Sequence, residues 1–323
     1  MEAPRIRKAA STTPLPVKSA SVTVLLCTHQ GERFLSDQLK SIFKQDCSEI
    51  ALLASDDGSD DDTRKILERY QYWLGKDRIS IQSGPQDGFV ANFHSLICHP
   101  GIETDYFAYA DQDDVWEPDK LSRAIAALEQ VPAGVPALYC TRTALIDEKG
   151  RNIGFSPLFE KPPSFANALV QNVGGGNTMV MNKAARDLLC VCDDGVVVSH
   201  DWWAYMLTTA VGGVAIYDPY PSVRYRQHDN NMVGSNNDWH SRLLRLRMLL
   251  QGRFREWSSI NTRALQQARH LMTPENQVIF DAFCTARNRW LIPRIWGVMR
   301  SGVYRQTLLG NLGLIAAVVL KKL

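Results

Sequence analysis

Tyr106-Phe107-Ala108-Tyr109-Ala110 runs directly into Asp111-Gln112-Asp113-Asp114. The first five residues are apolar and aromatic, as in a short buried strand. The next four set three carboxylates at that strand's carboxyl end. Carboxylates packed this closely repel one another and favour a hard cation. An Asp-x-Asp in that place suits Mg2+ or Mn2+ held together with a diphosphate. Alone, the same stretch reads as a solvated turn whose aspartates cap the next helix. Its surroundings decide between the two.

Working outward, the spacing predicts strands over 22–27, 50–54, 79–82 and 106–110. It predicts helices between and after them over 35–44, 62–74, 89–98 and 119–131, the last stopped by Pro132. Leu35, Leu39, Ile42 and Phe43 share one face of the first helix, and Leu121, Ile125 and Leu128 one face of the fourth. Strands alternating with helices at this spacing argue for βαβ units and a mostly parallel sheet. Ligands in such sheets bind at the carboxyl ends of the strands. Polar clusters fall at those ends: Thr28-His29-Gln30-Gly31, Asp56-Asp57-Gly58-Ser59 and Asp111 to Asp114. Beyond residue 138 the pattern is mixed, with strands over 137–146, 178–181, 214–217 and 222–226 and a helix over 201–211. From 241 onward it is helical and arginine-rich, so the expected division is a leader over 1–20, an α/β domain over 21–238 and a basic helical extension over 239–323.

Composition bounds the reading. The 323 residues are 45% hydrophobic and 22% charged, ordinary for a globular protein. The net charge of +2 hides an asymmetry: from Arg242 to the end there are fourteen Lys/Arg against three Asp/Glu. A basic tail points toward a polyanion or an anionic membrane surface. No nucleic-acid recognition motif accompanies it. The apolar stretch over 308–320, followed by Lys321 and Lys322, is short for a spanning helix and suits an interfacial one or a helix packed on the body. The seven cysteines form no CxxC pair, and Cys27, Cys98, Cys140 and Cys284 read as small core residues in a reducing compartment. The first twenty residues are basic and rich in Pro, Ser and Thr, without the apolar core of a signal peptide.

In the first loop, small polar residues leave backbone groups free to meet a nucleotide, and Glu32 can cap or accept from a ribose. No GxGxxG follows, which disfavours a dinucleotide site. In the second loop Gly58 permits a tight turn, and one aspartate can accept from a pyrimidine imide N–H. The remaining acids near Asp62 favour the start of the next helix through its dipole.

Taken in order, the strand followed by Thr28-His29-Gln30-Gly31-Glu32, the Asp56–Thr63 run and Tyr109 to Leu121 resemble a family 2 glycosyltransferase with the GT-A fold. Within that family the chain resembles the bacterial rhamnosyltransferase-like group. The resemblance spans roughly 21–235 and extends to Gly174-Gly175-Gly176-Asn177-Thr178, His200-Asp201-Trp202-Trp203 and Tyr225-Arg226-Gln227-His228. It implies that Thr28, Gln30, Glu32, Asp57 and Asp111 meet a nucleoside diphosphate sugar donor. It implies Asp113 as metal ligand, with His228 a third metal or diphosphate contact, and Mg2+ or Mn2+ as cofactor. Asp201 matches the catalytic base, and the acceptor implied is a glycan or lipid-linked glycan at the inner face of the cell membrane. Gly175, Gly176, Trp202 and Trp203 would meet acceptor or sugar. The family often has Glu before the base, whereas His200 stands here, which puts the electrostatic tuning of the base in question. A sugar-phosphate nucleotidyltransferase would carry a basic, glycine-rich phosphate loop, and the first loop has no Lys or Arg before Arg33. A non-catalytic nucleotide-sugar or glycan-binding protein of the same fold would not need the complete acid set.

Overall fold

A computed structural model describes residues 20–47, 49–191, 196–228 and 252–323. Its first half is a run of βαβ units: β1 (Ser21–Thr28), α1 (Leu35–Ile42), β2 (Glu49–Asp56), α2 (Thr63–Leu74), β3 (Ile79–Ser83), α3 (Gly88–Ile97) and β4 (Tyr106–Ala110). The strands pair in parallel in the order β3-β2-β1-β4. Side chains alternate across the sheet. Val22, Val24 and Leu26 join Leu35, Leu39 and Leu67 on one face. Leu25 and Phe107 join Phe93, Leu96 and Ile97 on the other.

The second half closes the sheet with mixed pairing. It comprises β5 (Val115–Trp116), α4 (Lys120–Leu128), β6 (Ala137–Ile146), β7 (Asn152–Phe155), α5 (Phe165–Ala168), β8 (Val180–Asn182), α6 (Lys183–Val191), α7 (His200–Ala210) and β9 (Val214–Arg226). Among the described residues the order continues β4-β8-β6-β9-β5, with β8 antiparallel to both neighbours. The strands expected over 214–217 and 222–226 are one strand, β9, in parallel register with β6. The register shifts between Thr141 and Thr143, opposite Pro219 and Pro221. Proline donates no ladder hydrogen bond and is confined in sheets to edges and bulges. The break legible in the sequence is thus a bulge within one strand.

Among the described residues four α-helices follow: α8 (Arg253–Gln267), α9 (Pro274–Arg287), α10 (Leu291–Arg300) and α11 (Leu308–Val319). Thr273 caps α9 by accepting from the Asn276 N–H at 3.2 Å, with Pro274 at the first helical position. Leu265, Phe280 and Phe283 are buried in the same core as Leu25 and Phe107, so these helices share a core with the sheet. Burying each such side chain contributes roughly 1.5–3 kcal/mol. The leader expected over 1–20, apart from Ala20, lies outside the described residues, as do the boundary near 238 and the arginine-rich start of the extension over 242–251. No helix among the described residues is long and apolar enough to cross a membrane.

The reading of Cys98 as a lone core thiol is corrected. Its sulfur is joined to that of Cys190, with Cα atoms 5.3 Å apart, which ties the end of α3 to α6. The partner lies 92 positions away, a spacing that no local motif reveals. Cys140 is buried as a free thiol, and Cys27 and Cys284 are half-buried.

Candidate active site

The parallel half of the sheet aims three loops at one rim. β1 and β2 stay in register to Thr28 and Asp56, and β1 pairs with β4 to Leu26 and Ala110. The loops that begin at His29, Asp57 and Asp111 therefore emerge side by side.

These loops are fastened to one another. The Thr28 hydroxyl donates to Asp56 Oδ1 at 2.9 Å, and the Asp57 N–H donates to the Thr28 carbonyl at 2.8 Å. Gly58 makes the turn at φ +84, a conformation open to glycine. The Gln30 N–H donates to Ser59 Oγ at 2.9 Å. Glu32 Oε2 accepts from the Asp62 N–H at 3.0 Å, and the Glu32 N–H donates to Asp61 Oδ2 at 3.0 Å. The Gln112 side-chain amide clamps the third loop to the first, accepting from the His29 N–H and donating to its carbonyl, each at 2.8 Å. Asp57 Oδ1 accepts from the Gln86 N–H at 2.6 Å. Of the residues expected at a donor, Gln30 and Glu32 are exposed and Asp57 is half-buried. The Thr28 side chain is buried and bonded to Asp56, and its carbonyl is taken by the Asp57 N–H.

The acids gather next. Asp111 has its pKa pushed up to about 7, by burial first, then by the charges of Asp113 and Asp201. Asp113 Oδ2 meets His228 Nε2 at 2.7 Å. Asp114 is fully buried and accepts from Asn177 Nδ2 at 2.6 Å and from the Arg226 N–H at 3.2 Å. Burial, followed by Asp113 and Asp111, raises its pKa well above the usual carboxylate range. Lys120 is buried with its Nζ 3.6 Å from the centre of the Trp116 ring, and burial lowers its pKa to about 7.

Arg226 had no role in the sequence reading. Its Nε donates to the Asp113 carbonyl at 2.9 Å and its Nη1 to the Glu148 carbonyl at 3.0 Å, while its guanidinium lies 4.5 Å from the Phe34 ring centre. It holds the acidic loop against the strand that delivers His228. The signal was present in Tyr225-Arg226-Gln227-His228, an arginine two positions before the expected ligand. A cavity of about 260 Å³ opens beside His228, lined by Glu148, Lys149, Arg151 and Gln227.

Asp201 approaches from α7. Its Oδ2 accepts from the Gly176 N–H at 3.1 Å and its Oδ1 from the Trp202 N–H at 2.6 Å. Residue 176 must be glycine, because a Cβ there would overlap the His200 imidazole. Gly175 caps the short helical turn that presents the Gly176 N–H. Trp202 is half-buried and donates its indole N–H to the Ala168 carbonyl at 2.7 Å. Trp203 is only 8% exposed and belongs to the core, because adjacent helix positions face different ways. Only Trp202 of the pair keeps substantial surface.

His200 stacks on Phe93 at 3.9 Å and sits edge-on to Tyr109 at 4.8 Å. Both ring nitrogens are buried without a hydrogen-bond partner among the described residues. Burial lowers its pKa to about 4, so at neutral pH it places an uncharged ring beside Asp201. A folded-state pKa of about 4 against 6.5 when unfolded means that the unfolded chain binds more protons between those values. Stability contributed by neutral His200 is complete above pH 6.5 and is lost as pH falls toward 4. Asp111 acts in the opposite sense over the range from 3.8 to about 7, so the difference between variants isolates the histidine. Urea unfolding of His200→Leu at pH 7 and pH 4.5 is expected to show about 2 kcal/mol less acid destabilisation than wild type. Equal acid destabilisation in both proteins would contradict the buried, neutral assignment.

Asp113 and His228 together offer one carboxylate and one imidazole nitrogen at a mutual contact of 2.7 Å. No cluster of three potential metal-binding side chains converges among the described residues. Mg2+ is commonly held by one or two carboxylates, with substrate phosphates and water filling its other positions. The donor set therefore fits a hard divalent cation shared with a diphosphate.

Known proteins bear on this geometry. A family model described as glycosyl transferase family 2 matches residues 23–167, which include the first three loops. The dTDP-rhamnosyl transferase RfbG of Shigella flexneri is 29% identical over 232 residues, covering 68% of this chain and 78% of its own. An uncharacterised glycosyltransferase of Haemophilus influenzae is 26% identical over 221 residues, 65% of this chain and 66% of its own. In fold, the chain is similar to the Pyrobaculum calidifontis mannosyltransferase PcManGT, solved with GDP-Man and Mn2+. That match has TM-score 0.53 and 15% identity over 96% of this chain and 79% of that one. It is similar likewise to S. aureus TarS 1-349 with UDP-GlcNAc, at TM-score 0.53 and 15% identity over 94% and 89%. The fold is that of the GT-A glycosyltransferases, an α/β sheet flanked by helices with further helices at its carboxyl end. By sequence and by fold this chain is a glycosyltransferase, and its residues 23–167 match glycosyl transferase family 2.

Proposed function

We propose that the chain is an inverting, metal-dependent glycosyltransferase that moves L-rhamnose from dTDP-rhamnose onto a cell-surface polysaccharide or lipid-linked glycan. The observation that carries this reading is the convergence of separate elements on one rim: the loops after β1, β2 and β4 emerge side by side, and Asp113 Oδ2 meets His228 Nε2 at 2.7 Å. The choice of sugar is supported by the likeness to the Shigella dTDP-rhamnosyl transferase.

In this reading Asp57 accepts from the pyrimidine imide N–H, and Asp111 lies by the ribose, with Gln30 and Glu32 at the nucleotide's edge. Asp113 and His228 hold Mg2+ or Mn2+, which supplies positive charge against the leaving diphosphate. Asp201 takes the proton from the acceptor hydroxyl as that oxygen bonds to the anomeric carbon. The bond from that carbon to the diphosphate oxygen breaks with its electron pair leaving on the diphosphate. One displacement inverts the anomeric centre and needs no covalent intermediate. Gly176 aims the base through its N–H, and the exposed part of Trp202 offers an aromatic surface to acceptor sugar C–H groups. Residues 21–238 form the catalytic unit and 239–323 the extension.

The extension would rest on the cytoplasmic face of an anionic membrane. Ile292, Trp296, Met299, Leu308, Leu309 and Leu312 on α10 and α11 are all more than half exposed. Exposed apolar faces with tryptophan, next to arginine and lysine, suit the interface of an anionic bilayer.

The test is product stereochemistry. Protein supplied with dTDP-rhamnose, Mn2+ and lipid-linked glycan from a rhamnose-deficient strain should yield a rhamnosylated product. NMR should show its anomeric configuration opposite to that of the donor. Retained configuration would contradict the single displacement, and transfer of other sugars only would contradict the donor assignment.

A further inference from the structure

A second polar cavity lies away from the strand ends, among the C-terminal helices. It measures about 470 Å³ and is lined by Arg255, Ser259, Thr262 and Arg263 of α8, Arg287 of α9, and Lys321 beyond α11, among others. The α8 residues recur at helical spacing, so they form one face of that helix. The opposite face, with Ser258, Asn261, Ala264 and Leu265, is buried. The cavity is thus a built concavity between packed helices.

Its side-chain charge is one-sided, and Leu323, the last residue of the sequence, also lies on its wall. Four cations line it, and no acidic side chain does among the described residues. The acids of α9 lie elsewhere, with Asp281 paired to Arg269. Arg287 is half-buried, and its fork is held by hydroxyls in place of a carboxylate: Nη1 donates to Thr262 Oγ1 and Nη2 to Ser259 Oγ, each at 3.0 Å. Those hydroxyls donate in turn to the Ser258 and Arg255 carbonyls, each at 2.7 Å. Arg287 Nε is buried with no partner among the described residues. Burial lowers the Arg287 pKa, and the adjacent Arg255 charge adds to that effect. Gathering three further cations around a half-buried guanidinium costs free energy unless an anion completes the site.

We infer that this cavity binds a phosphate-bearing group, a phosphomonoester or a diphosphate, independently of the site at the strand ends. Arginine forks match phosphate oxygens in bidentate fashion, and lysine adds a point charge. The cavity is far larger than one phosphate, so it admits the group that carries it. That carrier is either a soluble molecule or a lipid, whose chains would meet exposed apolar residues of α11 and its end, such as Ile315, Val319 and Leu320.

The experiment uses the full chain in EDTA. Sodium pyrophosphate is titrated while the unfolding temperature is followed, with sodium sulfate at matched ionic strength as control. Wild type should be stabilised by pyrophosphate beyond the sulfate control. The double variant Arg255→Gln/Arg263→Gln, changed at exposed positions, should unfold at the wild-type temperature without ligand and bind at least tenfold more weakly. Asp113→Ala should retain the wild-type pyrophosphate response, which separates this cavity from the strand-end site. A parallel arm measures sedimentation with phosphatidylcholine vesicles containing phosphatidic acid or, at equal charge, phosphatidylserine. Preference for phosphatidic acid that the double variant loses assigns the site to a lipid headgroup. Pyrophosphate binding with no vesicle preference assigns it to a soluble phosphate. Neither ligand bound, or both bound equally by wild type and double variant, overturns the proposal.

Discussion

Asp201→Asn is expected to lower turnover by about 10²–10⁴-fold, the usual contribution of a positioned general base. Donor affinity should stay within about twofold of wild type, because Asp201 contacts the acceptor side in the proposed mechanism. The substitution is close to isosteric, so packing around α7 should persist. Asparagine keeps one oxygen to accept from either the Gly176 or the Trp202 N–H, the two donors that now hold the carboxylate. What it loses is the capacity to take a proton. Turnover and donor dissociation constant measured on the same preparation separate these effects. Near-wild-type turnover would remove Asp201 from the role of base. A matching loss of donor affinity would place it at the donor.

Asp113→Ala should act on the other half of the reaction. Its carboxylate lies 2.7 Å from the His228 imidazole, and its backbone carbonyl is held by Arg226. The alanine variant keeps the backbone contact and loses the carboxylate. The loss in kcat/KM should be on the order of 10³-fold, in line with several kcal/mol of charge stabilisation by a bound cation. Mn2+ should tighten donor binding in wild type and leave the variant unaffected. Chelation should bring wild type down to the level of the variant and change the variant little. An unchanged Mn2+ dependence in Asp113→Ala would move the metal to other ligands.

The sheet and its rim were largely legible in the sequence because their signals are local. Apolar runs such as 22–27 and 106–110 each end in polar loops, and parallel pairing brings those ends together. The acidic runs holding Asp57, Asp111 and Asp113 stood out as carboxylates at the ends of buried strands, whereas their individual roles and the choice of Asp201 came from the family resemblance. What escaped notice depends on contacts between distant segments. Arg226 acquires its place only when β9 lies against the acidic loop. Cys98 finds Cys190 only when α3 meets α6. The single strand β9 looked like two because Pro219 and Pro221 interrupt its pattern while β6 carries the register past them. His200 differed from the residue often found before the base, and only the aromatic cage of Phe93 and Tyr109 shows that it sits there neutral. The cation-lined cavity of the C-terminal helices was foreshadowed by the charge asymmetry, but its one-sided lining emerges from the packing of α8 on α9.

The central claim is that the rim formed by Asp57, Asp111, Asp113 and His228 binds a pyrimidine nucleoside diphosphate through a divalent cation. Its most direct measurement is the unfolding temperature of the full chain with dTDP, UDP or GDP, each with and without Mn2+. A ligand that binds only the folded state raises its apparent stability by mass action. The expected result is a rise with dTDP or UDP that requires Mn2+, is weaker with GDP, and is lost in Asp113→Ala. Folded protein that shows no Mn2+-dependent rise with any of the three would contradict the claim.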